Sequence, residues 1–139
     1  MQIRQVMTEK VTFVEPGTAL SEVARRMRDE DIGSTPVVQN DRLVGVVTDR
    51  DIVTRVIAAE HDARAVTAHA AMSPKVLYCF DDQTVEEVLE NMGRNQVRRL
   101  PVLNRDKRLV GVVSLGDLAK AATTEAGSAL EEISQSTHH

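Results

Sequence analysis

Apolar residues recur along this chain in a helical rhythm and a strand rhythm, and the whole pattern is written twice. Leu20, Val23, Ala24 and Met27 fall at i, i+3, i+4 and i+7, which predicts one face of a helix, and Val85, Val88, Leu89 and Met92 repeat that spacing. A short β-favouring run precedes each helix, Val11 to Val14 and Val76 to Phe80. After each helix comes a strand start, Pro36-Val37-Val38 and Pro101-Val102-Leu103, with Pro expected at the first strand position, where a missing N–H does least harm. Polar turns come next, Asn40-Asp41 and Asn104-Arg105-Asp106. Leu43 to Val47 and Leu109 to Val113 are then continuously apolar, which predicts a strand covered on both faces and paired in a hairpin with the one before. A second helix is expected from Asp51 to Ala59, with Ile52, Val53, Val56 and Ile57 as its apolar face, and a weaker one from Asp117 to Ala122.

The duplication extends beyond hydrophobicity. Met7-Thr8-Glu9-Lys10-Val11 returns as Met72-Ser73-Pro74-Lys75-Val76 at an offset of 65, and LVGVVTDRDIV returns as LVGVVSLGDLA at an offset of 66. Each copy reads β-α-β-β-α, over residues 1–60 and 72–125. The join, 61–71, is Ala-rich and part helical, with a short helix opening the second copy from about residue 66. Two copies are too few for a solenoid and predict a pseudo-symmetric pair. A copy of about 60 residues is marginal as an independent domain, so the two are expected to pack sheet to sheet as one mixed α/β unit. Residues 126–139 read as a tail, with a helical turn or two around Ala129 to Ile133 and His138-His139 as a remnant of a purification tag.

Composition narrows the function classes. A net charge of −4 over 139 residues favours neither nucleic acid nor an anionic membrane. Only Phe13, Tyr78 and Phe80 are aromatic, which argues against a base-stacking surface. No apolar run reaches the length of a membrane span and no signal pattern opens the chain, so a soluble, cytoplasmic protein is expected. Cys79 is the single cysteine, which excludes an internal disulfide and a multi-cysteine zinc site and suits a small apolar strand residue. His61 and His69 carry no metal-ligand pattern, and Met27, Met72 and Met92 read as core filler. Arg25-Arg26-x-Arg28 followed by Asp29-Glu30-Asp31 is a solvated helix face of mixed sign. No nucleophile–base pair and no paired acids stand at a recognisable spacing, so neither catalysis nor a required cofactor or metal is expected.

The candidate chemistry lies in Thr48-x-x-Asp51 and Ser114-x-x-Asp117. A hydroxyl residue three places before an acid, ahead of an apolar helix, is close to a capping box, which alone contributes about 0.5–2 kcal/mol to a helix start. The same place also suits a ligand. A helix N-terminus favours an anion, and a carboxylate on the first turn can accept two hydrogen bonds from a diol.

The runs Gly45-Val46-Val47-Thr48-Asp49-Arg50-Asp51 and Gly111-Val112-Val113-Ser114-Leu115-Gly116-Asp117, with the Met7-Thr8 and Met72-Ser73 openings and the Pro36-Val37 and Pro101-Val102 strand starts, resemble tandem CBS domains over about residues 3 to 122. That resemblance implies a regulatory module rather than an enzyme. Its two clefts would take adenosine-containing ligands (AMP, ADP, ATP or NAD), the motif Asp holding the ribose hydroxyls and the Thr or Ser a phosphate. It also implies a homodimer, here through the Leu20–Met27 and Val85–Met92 faces or the Ile52–Ile57 face, and a separate protein effector. Adjacent Arg98 and Arg99 point to opposite sides of an extended chain, so one of them is expected at a cleft. The favoured arrangement is composite: Thr48 and Asp51 bind the nucleoside while Arg98 or Arg99 covers the phosphates. The site at Ser114 and Asp117, flanked by neutral Ser34 and Thr35, would tolerate less charge. Val11 and Thr12, and Leu77 and Tyr78, are expected to flank adenine, with Pro36 and Pro101 among the lining residues. A ligand-free structural or dimerisation module, in which the two Asp residues only cap helices, is the alternative.

Overall fold

The computed structural model describes residues 1–124. The tail expected at 126–139 lies outside the described residues. The elements are α1 (Leu20–Glu30), β1 (Ser34–Gln39), β2 (Arg42–Thr48), α2 (Asp49–Ile52), α3 (Ala68–Ala71), β3 (Cys79–Phe80), α4 (Val85–Asn95), β4 (Arg99–Leu103) and β5 (Leu109–Ser114), followed by a helix α5 at 115–124. The fold is mixed α/β, with a two-stranded sheet, β1-β2, and a three-stranded sheet, β3-β4-β5.

The two compact units do not coincide with the two sequence copies. One comprises Val11–Leu77 together with Asp106–Leu109; the other comprises Met1–Lys10, Tyr78–Arg105 and the described residues from Val110. The opening residues of the first copy thus fold with the second copy. Ile3 is fully buried in the core of Cys79, Val85, Val88, Met92, Leu100, Val102, Val113 and Leu118. Its N–H donates to Gln83 C=O at 2.9 Å, and Arg4 N–H donates to Asp81 C=O at 2.9 Å. The stretch expected to be a mere join plays the same part in the other unit. Ala68 and Ala71 are buried in the core of Val14, Leu20, Val23, Met27, Val37, Val47, Ile52 and Val56. Ala68 N–H donates to Thr18 C=O at 2.8 Å, and His69 N–H to Pro16 C=O at 3.0 Å.

The repeated Gly explains how these segments dock. Ser73 exchanges both backbone hydrogen bonds with Val46, at 2.9 and 3.1 Å, and Thr8 does so with Val112, at 2.9 Å each way. For the chain to lie this close, Met72 must cross Gly45 and Met7 must cross Gly111. A Cβ at Gly45 would stand 2.5 Å from Met72 Sδ and 3.1 Å from Ser73 O. One at Gly111 would stand 2.6 Å from Met7 Sδ and 3.0 Å from Thr8 O.

Helices α1 and α4 bury the predicted faces, Leu20, Val23 and Met27 in one and Val85, Val88 and Met92 in the other. Thr84 caps α4 by accepting from Glu87 N–H. No side chain caps α1. Its first-turn donors go instead to the segment just before α3, Leu20 N–H to Val66 C=O at 2.9 Å and Ser21 N–H to Ala63 C=O at 3.0 Å.

Strands β1 and β2 form an antiparallel hairpin. Its two-residue turn, Asn40-Asp41, has positive φ at both positions (54° and 63°), which Asn and Asp tolerate and which matches strand twist. Val37 opposes Gly45 and Val38 opposes Leu43, so Val44 is the extra residue of a bulge.

Four expectations are corrected. Pro36 and Pro101 are third, not first, in their strands. Pro36 is tolerated there because its carbonyl accepts from Val14 N–H at 3.0 Å, so its ring nitrogen also faces away from β2 and no hairpin bond is lost. The strand expected at Val11–Val14 contracts to a single parallel bridge between Val14 and Val37, and that at Val76–Phe80 to Cys79–Phe80. The helices after the motif begin at Asp49 and at 115, two residues earlier than expected. Finally, α2 continues as a π-helical stretch over Val53–Ile57. Its wider turn keeps Ile52 and Val56 in the core but leaves Val53 at 53% and Ile57 at 65% exposure, so the four do not share one buried face.

Replacing Gly45 by Ala should destabilise the fold by about 1–3 kcal/mol, the usual cost of overpacking against backbone and a packed side chain. A urea titration showing a lower midpoint at unchanged slope is the expected result. The control, Gly17→Ala, meets no atom within 4 Å and should change the midpoint far less.

Candidate functional site

The two hydroxyl-x-x-Asp turns are built alike but completed differently. Thr48 is extended (φ −107°, ψ 161°) and caps α2. Its Oγ1 accepts from Asp51 N–H at 3.1 Å, and its own N–H donates to Asp51 Oδ2 at 2.9 Å, a full capping box. The other first-turn donors are also taken: Asp49 N–H by Gly33 C=O at 2.9 Å and Arg50 N–H by Asp49 Oδ1 at 2.8 Å. The outward N–H groups expected to greet a phosphate are therefore occupied within the chain here, so an anion must be held by side chains.

In the second copy, Ser114 Oγ accepts from Asp117 N–H at 3.1 Å and Leu115 N–H donates to Arg98 C=O at 2.8 Å. The reciprocal bond to the carboxylate is not made, and among the described residues the Asp117 side chain has no hydrogen-bond or ion-pair partner. Asp51 differs again. Its side chain is 15% exposed, and its Oδ1 lies 3.8 Å from Arg55 Nε, one turn further along the helix. The residue at the corresponding place after Asp117 is Ala121.

The other predicted residues divide between the units. Ser34, Thr35 and Pro36 lie in the unit of Thr48 and Asp51, with Ser34 directly opposite Thr48 across the hairpin. Arg98, Arg99 and Pro101 lie in the unit of Ser114 and Asp117. Both Arg98 and Arg99 are exposed, and neither side chain has an ion-pair partner among the described residues. The Arg98 carbonyl on the first N–H of α5 brings its residue to the Ser114 turn.

Val11 and Thr12 line an open groove of about 670 Å³ with Phe13, Arg26, Asp29 and Glu30; neither Thr48 nor Asp51 borders it. The Thr12 hydroxyl donates to Glu30, and Arg26 Nη1 donates to Phe13 C=O at 2.8 Å. Leu77 is exposed. The Tyr78 ring stands edge-on to Phe80, centroids 5.5 Å apart, and Arg105 lies 4.1 Å over the Phe80 ring while pairing with Asp82 at 2.7 Å.

Sequence reasoning missed Arg55, whose signal was a basic residue four places after the motif Asp. Cys79 is the buried strand residue expected of it. Burial, aided by the negative charge of Asp81, pushes its thiol up to about 12, which keeps it an unreactive core residue at neutral pH.

The profile of the CBS domain matches residues 3–58 and 65–124. The chain belongs to the CBS domain family. YlbB, an uncharacterised protein of Bacillus subtilis, is 40% identical, over 96% of this CBS chain and 92% of that protein. The crystal structure of Hypoxic Response Protein I with two coordinated zinc ions superposes with a TM-score of 0.78 at 37% identity, covering 86% of this chain and 98% of that one. Among the described residues here, no three His, Cys, Asp or Glu side chains group as metal ligands. CBSX2 in complex with AMP shares the fold, with a TM-score of 0.77 at 22% identity over 90% of this chain and 98% of that one. CBS pairs are regulatory modules. No described helix is long and apolar enough to cross a membrane.

Thr35, in the same hairpin as Thr48, is fully buried opposite Val47, and its Oγ1 has no hydrogen-bond partner. Leu100, also buried, holds the same place in the second copy. An orphan hydroxyl costs about 1–3 kcal/mol. The isosteric Thr35→Val should therefore raise stability by about 1–2 kcal/mol in chemical denaturation. An unchanged or lower midpoint would mean that a buried partner satisfies the hydroxyl.

Proposed function

We propose that this CBS-domain chain is a regulatory sensor that binds an adenosine-containing ligand, AMP, ADP, ATP or NAD, on its hydroxyl-x-x-Asp turns and reports occupancy to a separate protein. The observation that carries this reading is the Asp117 carboxylate. It stands on the first turn of a helix, unused by the capping box that its sequence permits; the Arg98 carbonyl accepts from Leu115 N–H on the same turn, and among the described residues neither Arg98 nor its neighbour Arg99 has an ion-pair partner. A ribose diol supplies the two donors such a carboxylate lacks, and Arg98 and Arg99 supply the positive charge a phosphate needs. Asp51 is the second diol acceptor, its Oδ1 free of the capping bond. Capping and binding are compatible, because a carboxylate has about four acceptor positions and the cap takes one.

Calorimetric titration with AMP and with adenosine tests this. Asp51→Asn and Asp117→Asn keep a cap but lose a charged acceptor, and each should weaken binding at its own turn by about 1.5–3 kcal/mol, tenfold or more. Replacing Arg98 and Arg99 by Ala should weaken AMP far more than adenosine, a difference that shrinks at high salt. A folded wild-type protein that binds neither compound overturns the reading and leaves the turns to the fold alone.

A second reading, a dimerisation module, rests on Val53 and Ile57. The α1 and α4 faces expected at a dimer contact are buried within their own units, so of the expected faces only the third, with its exposed Val53 and Ile57 on the π-helical stretch, offers apolar surface to a second copy. Val53→Asp with Ile57→Asp should shift the mass in sedimentation from dimer to monomer. A wild type that is monomeric at high micromolar concentration refutes it.

A further inference from the structure

Arg55 joins the first motif turn to a distant piece of the same unit. Its Nε faces Asp51 Oδ1 at 3.8 Å, and its Nη1 donates to the carbonyls of Ala71 at 3.3 Å and Met72 at 3.4 Å. Those carbonyls end α3, a helix of only four residues whose last carbonyls lack partners of their own. Immediately beyond, Met72 crosses Gly45 and Ser73 pairs with Val46. One guanidinium therefore serves as countercharge to the candidate ligand carboxylate and as cap to the segment that docks on β2. Five N–H donors in a planar fork allow both at once. The second copy has Ala121 at this position, so this connection belongs to the first motif alone.

We infer that Arg55 is a positioning residue that couples the state of the Asp51 carboxylate to the Ala68–Ser73 segment. This rests on the reading of Thr48–Asp51 as a ligand turn. The 3.8 Å separation is too long for a direct hydrogen bond, so hydroxyl donors arriving at Oδ1 displace the guanidinium readily. Released from Asp51, Arg55 loses the anchor that aims it at Ala71 and Met72, and the end of α3 loosens. Occupancy at the motif is thereby converted into mobility of the docking segment.

Two amides report on this directly: Met72 N–H, bonded to Ala68 C=O at 2.8 Å, and Ser73 N–H, bonded to Val46 C=O at 2.9 Å. In the ligand-free protein, Arg55→Gln and Asp51→Asn should each speed hydrogen exchange at these amides about two- to fivefold, the scale of a half-exposed ion pair. The double variant should be no faster than the faster single one, because both changes break one link. Arg55→Lys, which keeps the charge but not the fork, should fall between. Saturating AMP should speed the same amides in the wild type and add nothing in Arg55→Gln. Exchange unchanged by Arg55→Gln, or additive effects of the two substitutions, overturns the coupling. If AMP binds through Asp51 yet leaves Met72 and Ser73 unaltered, transmission by Arg55 is wrong and the nucleotide reading stands. If the wild type binds none of AMP, ADP, ATP, NAD and adenosine, the nucleotide reading and ligand control both fall, and the ligand-free double-variant comparison still decides whether the link exists.

Discussion

Each compact unit of this molecule is closed by a methionine thioether lying against a glycine that has no side chain to hold it off. Met72 on Gly45 and Met7 on Gly111 let a strand edge accept one more length of chain, through Ser73 in one case and Thr8 in the other. Core and site both depend on that contact. The docked segment carries Ala68 and Ala71, or Ile3, into the core, and in the first unit its neighbouring carbonyls receive Arg55. The glycine of the repeated phrase serves this docking, whereas its hydroxyl and its Asp face a separate task at the helix start.

That task is shared between fold and ligand unequally in the two copies. In the first, the Thr48–Asp51 box is complete and the first-turn N–H groups are used, so the local structure is self-sufficient. In the second, Ser114 caps Asp117 N–H while the carboxylate stays uncommitted among the described residues. One pattern of residue types thus yields one turn that is tied down and one that is open. The two turns differ within the motif, where Asp49 takes the Arg50 N–H and the second copy has Leu115, and beyond it, where Arg55 stands against Ala121.

Much of this was legible in the sequence. The 65-residue offset, the faces of α1 and α4, the two-residue hairpin turn and the burial of Met27 and Met92 all come from local spacing, because a helix face or a turn is decided by neighbours in the chain. Most of the misses share a cause. Ala68, the contraction of the Val11–Val14 strand to one bridge and the third-position prolines are set by partners far along the chain, whereas the exposure of Val53 and Ile57 follows from a π-helical stretch that spacing does not announce. Thr35 shows the limit: sequence reasoning names it as a neutral flank of a ligand site, whereas packing buries it opposite Val47 with its hydroxyl unanswered. For the site, spacing identified Asp51 and Asp117 but could not show which carboxylate was engaged.

The exchange of opening segments has a consequence for the order in which the chain becomes structured during synthesis. Apart from Asp106–Leu109, the Val11–Leu77 unit is a continuous length whose core residues all precede Tyr78, so its core can form while the rest is still being made. Ile3, by contrast, shares a core with Val113 and Leu118, which are made more than a hundred positions later. The turn around Ile3 must wait for Val113 and Leu118 to emerge, and the second core forms by a long-range closure of the slow, non-local kind. Anything that captures or shields the Ile3 segment meanwhile acts on the unit built from residues made much later.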